Sequence, residues 1–505
     1  CGRYHKGGKG MRFPASIERT RALLDVLLNR AENPDMKRRD FTVYRREASV
    51  YFVDGMVSSD FLQRDLLHPC QMHAGEALPE AMAQALLALL PLGEGEETDS
   101  VAQAVEQLMG GQALMVADGM MGALCFDIRG YVRRGVSTPQ AEAVVEGQHQ
   151  AFNESLRDNV TLIRRLLPTP ALIGETLSVG DGIPLGVSLM YLKDREDEAT
   201  VARMRGRIAQ LRVDHVLSIG ELQQLVEDHP AAVLPQCCLT ERPDRAASFL
   251  LEGQVVLVLD GSPRVLAAPV SFLHLFHTPD DMAMRWPYGL LTRLVRLLAA
   301  LMTLLLPGLF VAFTLFHPEA LPVTLLTSVL ESQAAVPLSI PGEMALMLLM
   351  VNLISEAGIR VPGVVGSSLG TVSGLILGQA AVEAKLVHPL MVIVVAVAAL
   401  GIYALPEYAL TLAFRILQMV FLAAACVGGV YGMALVGCVL AVRLCAMRSF
   451  GSPMAAPVAP GRLHNPDLIL RTPIWRQRLT TWLASAAHPV RAAGKMRAWR
   501  SKGGK

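Results

Sequence analysis

No CxxC pair and no Cys/His ligand spacing occurs among the eight cysteines: Cys237 and Cys238 are neighbours, and Cys1, Cys70, Cys125, Cys426, Cys438 and Cys445 stand apart. Their pattern supports neither a zinc site nor a disulfide framework and fits a reduced compartment or lipid. HExxH and a P-loop are missing, and no GxSxG or GxGxxG sits after a strand and before a helix. The histidines are scattered, so no enzyme and no cofactor is expected. The opening "CGRYHKGGKGMRF" has no apolar core of the kind a secretory signal needs. A start at Cys rather than Met reads as an upstream-extended frame with Met11 as the start, in preference to a lipid-modified Cys1.

Charge is what the last third lacks. Leu290 to Cys445 holds twelve Asp, Glu, Lys or Arg side chains, whereas the residues before about Tyr288 carry charges throughout. With 52% hydrophobic residues and a mean hydropathy of +0.38, the chain is too apolar for an ordinary soluble protein. Stretches suited to crossing a bilayer, which takes about 20 residues per helix, are Tyr288 to Phe316, Met344 to Ala357, Val364 to Leu386, Pro389 to Leu405 and Leu410 to Cys445. The last either spans once with a tilt or breaks at Gly428-Gly429 and turns back. "LPVTLLTSVLESQ" is too short to cross and reads as a re-entrant or interfacial half-helix.

From Ala446 to Lys505 eleven Lys and Arg face the single acid Asp467. This tail reads either as cytoplasmic and held near anionic lipid or as disordered and solubilising. "TPIWRQRLTTWLASAAHPVRAAGKMRAW" has the form of a surface helix with Trp475 and Trp482 on its apolar side. Arg293 and Arg296 at the entrance and the tail at the exit place both ends in the cytoplasm, which requires an even number of crossings, four or six.

The expected fold class is α+β followed by a multi-pass helical membrane bundle. Residues 1–95 read as a mixed α/β module, with a helix at Ile17 to Arg30 and a strand pair in "FTVYRREASVYFVDGMV", and "PLGEGEETD" reads as a linker. Residues 96–275 read as a second cytoplasmic α/β domain that begins with a hairpin turning at Asp118-Gly119. Residues 286–445 form the membrane part and 446–505 the basic tail. Arg203, Arg205, Arg207 and Arg212 lack interleaved aromatics, so they read as a solvated helix face and no nucleic-acid partner is expected.

Glu343, Glu356, Arg360, Glu383 and Arg415 lie within or beside spans, where an isolated ion costs at least about 2.5 to 3.5 kcal/mol, so each needs a partner or water. Glu356 and Arg360, four apart, can pair on one helix face before Pro362 breaks it. Gly366, Gly370, Gly374 and Gly378 recur every four residues, which suits either close helix packing or a pore wall that slides.

Several stretches resemble one family. They are "AFNESLRDNVTLIRR" (151–165), "PQCCLTERPDRAASFLLEGQVVLVLDGSPRVLAAPVSF" (235–272), "TPDDMAMRW" (278–286), "LFHPEALP" (315–322), "EAGIRVP" (356–362), "GQAAVEAKLVHP" (378–389) and "SFGSP" (449–453). Together they are similar to the A subunits of bacterial spore-germination receptors, a family that includes a stage V sporulation membrane protein. The resemblance implies an α/β portion on the cytoplasmic side and a multi-pass portion in the inner spore membrane. It also implies a homo-oligomeric ring that conducts ions beside a transporter-like B subunit and a lipoprotein C subunit, releasing monovalent cations on germination. Ser355 stands where the family commonly has Arg, Val336 to Pro341 replaces a Pro-Phe-Pro turn, and "GQHQAF" replaces a Gly-Pro-Arg/Lys start.

In the block Thr240-Glu241-Arg242-Pro243-Asp244, Asp244 is placed to cap the helix that follows, and Glu241 and Arg242 are candidates for contacts between subunits. A non-conducting scaffold stays open as an alternative. A secondary transporter is disfavoured because no inverted duplication is visible.

Overall fold

Two five-stranded sheets, antiparallel at every pairing, lie one after the other along the chain and lead into a bundle of long apolar helices. The computed structural model describes residues 11–77, 81–92, 95–130, 147–333, 336–360, 378–460 and 470–477, with 139, 142, 374, 376 and 467 between them.

The first sheet is built from β1 (Met36–Val43), β2 (Arg46–Val53), β3 (Gly95–Thr98), β4 (Ala113–Ala117) and β5 (Ala123–Phe126), in the order β1-β2-β4-β5-β3. Tyr44 and Arg45 turn β1 into β2 with φ of 48° and 55°, and their N–H groups donate to the carbonyls of His73 and Ala74. Residues alternate between the faces, as strand geometry demands. Ala113, Met115 and Ala117 join Val50 on one side, while Leu114 and Val116 join Tyr51 on the other, under helices α1 (Ile17–Leu27) and α2 (Val101–Met109).

The expected boundary at 95/96 falls inside this sheet and is corrected: β3 pairs along its full length with β5, so the first unit continues through Phe126. Gly95 to Thr98 of the stretch read as a linker is therefore an edge strand. Its Gly and Glu residues suit a strand with an exposed side, which carries little alternation to read.

The second sheet, in the order β6-β7-β9-β10-β8, comprises β6 (Leu172–Val179), β7 (Leu185–Leu192), β8 (Cys238–Thr240), β9 (Val255–Leu259) and β10 (Val265–Ala268). Helix α4 (Glu198–Gln210) covers one face through Val201, Met204 and Ile208. Helices α3 (Leu156–Leu166) and α5 (Pro243–Leu251) cover the other, and that core runs on without a break into the membrane-type helices through Leu410, Phe414 and Leu417. The arginines of α4 are spent within the chain: Arg205 bonds Glu175 at 2.7 Å and Arg207 stacks over Phe450 at 4.8 Å.

The two sheet units are joined by a buried ion pair. Arg164 of α3, 1% exposed, bonds Asp35, and it donates to Asn33 Oδ1 at 3.1 Å and to the Leu172 carbonyl at 3.2 Å.

Helices α6 (Trp286–Phe316), α8 (Ile340–Arg360) and α10 (Tyr408–Ala446) contain segments long and apolar enough to cross a membrane, and α9 (Pro389–Tyr403) is a shorter apolar helix. The helix α7 (Val323–Gln333) is too short to cross. At 31 residues α6 is about 46 Å long. It starts at the second sheet unit, where Arg296 bonds Asp281 at 3.1 Å. Farther along, Thr303 Oγ1 donates to the Ala398 carbonyl of α9 at 2.9 Å, Phe310 stacks on His388, and Phe316 reaches Gly429.

Straight, the 39 residues of α10 would extend about 58 Å. Both its ends return to the second sheet unit: Glu407 meets Arg245, and Ser449 Oγ donates to the Gln236 carbonyl at 2.6 Å. The helix therefore folds back on itself at Gly429 (φ 57°, ψ −139°), with Gly432 packed against Ala424 and Met433 against Gly308. Of the two alternatives for this stretch, the break at Gly428-Gly429 is the one adopted.

Candidate functional site

The helix-starting loop of α5 brings three charged groups to the place where sheet meets helices. Arg245, buried on α5, bonds Glu142 and lies 3.5 Å from Glu407, the residue that precedes α10. The Cys238 Sγ also contacts Glu407 at 3.4 Å. Burial works to lower the Arg245 pKa, but Cys238, Glu142 and Glu407 outweigh it and hold the guanidinium above its ordinary value. This cluster fixes the start of a long apolar helix to a sheet edge by charge.

The block 240–244 is engaged inside the chain. Thr240 and Arg242 are buried. Thr240 Oγ1 donates to Glu142 at 2.6 Å, and Arg242 grips Asp244 through two bonds of 3.1 and 2.7 Å. Pro243 opens α5, where a missing N–H costs nothing. Asp244 accepts from the Arg245 N–H at 2.9 Å, and Glu241 accepts from Arg264 at 2.9 Å.

Below this cluster lies a cleft of about 650 Å³ between the edge of the second sheet and the ends of α9 and α10, lined by Glu241, Arg264, Tyr403, Glu407, Tyr408 and Arg415 among others. Tyr403 OH is 3.0 Å from Ser355 Oγ of α8, a neutral hydrogen bond that ties two helices.

Glu343, in the first turn of α8, and His388, just before α9, form a second, sealed pair. His388 donates its backbone N–H to Glu343 Oε2 at 3.1 Å, and its Nδ1 is 2.9 Å from the same oxygen. Both residues are buried among Val311, Met344, Met391 and Leu422.

A third group pins the tail. Asp281 faces Arg293 at 3.5 Å and Arg296 at 3.1 Å, while Arg471 Nε donates to the Asp281 carbonyl at 2.8 Å and Arg293 bonds the Asp467 carbonyl. The residues that sequence reasoning uses as a positive-inside signal are thus also a clasp for the first part of the basic tail. Trp482 and the rest of the expected surface helix beyond residue 477 lie outside the described residues.

Glu356 and Glu383 are exposed on the single chain. The Arg360 side chain, Gly366 and Gly370 lie outside the described residues. A Cβ on Gly374 would meet open space, and one on Gly378 would touch Val392 at 3.8 Å. The structure therefore brings Glu343 to His388 and Arg415 to the junction cleft.

Residues 24–481 match the family described as Bacillus/Clostridium GerA spore germination protein. The chain belongs to that family. It is 34% identical to spore germination protein KA of Bacillus subtilis (strain 168), over 85% of this chain and 79% of that protein. It is 33% identical to spore germination protein B1 of the same organism, over 85% and 89%. A solved structure, the N-terminal domain of the A subunit of the Bacillus megaterium spore germinant receptor GerK3, matches at 24% identity and a TM-score of 0.40, covering 52% of this chain and 98% of that one.

In this GerA-family chain the residues that sequence reasoning passed over are Glu142, Arg245 and His388. Arg245 follows the singled-out block directly, and its position one residue beyond Asp244 was the available signal. His388 had none, because its partner is 45 positions away.

Proposed function

We propose that this chain is a receptor A-type subunit that lies in the inner spore membrane with its sheet units and tail in the cytoplasm. In this reading several copies enclose a hydrated path for monovalent cations, opened with a transporter-like B subunit and a lipoprotein C subunit.

The observation that carries the proposal is the closed interior of a single chain. Between α6, α8, α9 and α10 the buried side chains are mostly apolar, with Val311, Met344, Val395 and Leu422 in one cluster; Thr303 and Gln418 are spent on the carbonyls of Ala398 and Thr303, and Glu343 is paired with His388. Among the described residues no ion path fits there. On the outside, Leu349, Leu353 and Glu356 recur along α8 on an exposed face. That face offers a neighbouring copy an apolar surface with a carboxylate at its sheet-side end.

The helix directions support an even crossing count. α8 runs toward the sheet side, from Glu343 to Ser355 beside Tyr403, and α9 runs the same way, from His388 to Tyr403. α6 leaves the sheet side at Arg296 and α10 comes back to it before Ser449, which supports an even number, four or six.

The test is reconstitution of the purified full chain in liposomes with a potassium-sensitive readout. Flux that falls in Glu356→Gln, with equal protein incorporated, supports conduction between copies. Tight vesicles containing verified oligomers overturn it and favour the non-conducting scaffold, a reading that the closed single-chain interior equally suits.

A further inference from the structure

The cleft between the second sheet and the helix ends has an uneven charge account. Glu142 and Glu407 share Arg245, and Glu241 has Arg264. Two arginines thus serve three carboxylates, and each carboxylate touches one of them. Arg415 is the exception on the opposite side of the ledger. Its Nε is buried without a hydrogen-bond partner, and no carboxylate is within ion-pair distance of it among the described residues. A half-buried guanidinium always carries charge, and leaving it without an anion is costly.

Depth and surroundings restrict which anion fits. Arg415 is two turns into α10 from its start at Tyr408, about 10 Å along the axis. Tyr403 and Tyr408, 68% and 52% exposed, flank the mouth of the cleft. Partly exposed tyrosines at the end of spanning helices mark the headgroup level of a bilayer. Just beside Arg415 on α10, Leu412, Ile416 and Met419 are exposed and lead away from the sheet side. Polar walls thus lie above the cation and an apolar track runs below it.

We propose that this cleft is a binding site for the phosphate headgroup of an anionic phospholipid. Arg415 holds the phosphate, the tyrosines border the glycerol, and the acyl chains run over Leu412 and Ile416. The roughly 650 Å³ of space accommodates a headgroup. Because Glu407 and Arg245 form the roof, an occupied cleft would also brace the sheet unit against α10. The inference rests on reading these helices as membrane spans.

The experiment is native mass spectrometry of the full chain in detergent, with added phosphatidylglycerol or inorganic phosphate. The expected result is one retained phosphatidylglycerol per chain. Retention falls about tenfold in Arg415→Gln, the loss of one charge-assisted contact. It persists in Arg415→Lys and in Arg443→Gln, which removes an exposed cation near the other end of α10. Thr411→Phe, which fills the cleft one helical turn before Arg415 and keeps the cation, lowers retention as well.

Equal retention by wild type, Arg415→Gln and Thr411→Phe overturns the proposal. So does displacement of the lipid by equimolar inorganic phosphate, which would make the site one for a soluble anion. Dissociation of oligomers by Arg415→Gln in lipid-free detergent, with lipid retention unchanged, would assign the anion to a second copy of the chain and overturn it too. Failure of the chain to fractionate with membranes would instead sink the spanning reading itself.

Discussion

Gly429 sits directly against Phe316. A Cβ built on the glycine would lie 3.0 Å from the phenylalanine Cβ and Cγ, at φ 57° and ψ −139°, a backbone state that only glycine adopts without strain. This contact joins the far tip of α6 to the turn that lets α10 double back. Replacing Gly429 by Ala therefore meets both a backbone penalty of about 1 to 3 kcal/mol and an overlap that Phe316 must relieve. Gly428→Ala, next to it but with open space around its Cβ position, serves as the control. Thermal unfolding in detergent should show a clear loss for Gly429→Ala and little for Gly428→Ala. Equal behaviour of the two would mean that the turn is not held by this position.

Arg164 and Asp35 set the relation between the two sheet units. The arginine is 1% exposed and has two further partners, the Leu172 carbonyl and Asn33 Oδ1, besides the carboxylate on which it converges. Removing one member of such a buried pair leaves the other charge uncompensated and costs about 3 to 5 kcal/mol. Asp35→Ala should therefore destabilise the chain strongly, whereas Glu32→Ala, whose bond to Lys193 is exposed, should cost about 0 to 1 kcal/mol. Denaturant melts of the two variants make the comparison, and similar midpoints would show that the units do not depend on the pair.

What sequence could reveal follows the range over which each cause acts. The β4–β5 hairpin was legible because Asp118-Gly119 is a local turn signal, and Gly119 does adopt φ 88°. The turn between β1 and β2 was not, because Tyr44 and Arg45 take positive φ without glycine, held by carbonyls about thirty positions away. β6 was missed, since Glu175, Thr176 and Ser178 dilute the apolar pattern that its burial shows. The return of α10 was visible as an alternative at Gly428-Gly429, but only the anchoring of both helix ends on the same sheet unit decides it. Glu343 was singled out as a charge in an apolar run, yet its partner His388 looked like any isolated histidine.

Buried thiols should separate cleanly from those on the helix surface. Burial pushes Cys70 and Cys125 up to about 12, and Cys237 and Cys238 well above the ordinary thiol value. Thiolate, the reactive form, is then scarce at neutral pH. Cys438 and Cys445 are exposed on the second half of α10. A small membrane-permeant maleimide should label these two in the folded chain and reach the four buried cysteines only after denaturation. Rapid native labelling of Cys237 or Cys238 would contradict the packing of the second sheet.

The clasp at Asp281 should open in acid. Burial alone would raise this carboxyl, but hydrogen bonds and charge from Arg296, and then the charge of Arg293, more than offset it and lower its pKa below the ordinary aspartate value. A group depressed in the folded state contributes stability that is fully present above its unfolded pKa, about 3.9, and is lost as pH falls through the lower folded value. Protonation would leave Arg293 and Arg296 crowded without their shared carboxylate, and Arg293 also holds the Asp467 carbonyl, so the tail segment 470–477 should detach first. Hydrogen exchange of that segment, corrected for intrinsic rates, should stay slow from neutral pH down to about 4 and quicken below it, whereas Asp281→Asn should exchange quickly at neutral pH. Protection that is unaffected by either change would mean that the tail is held by its backbone contacts alone.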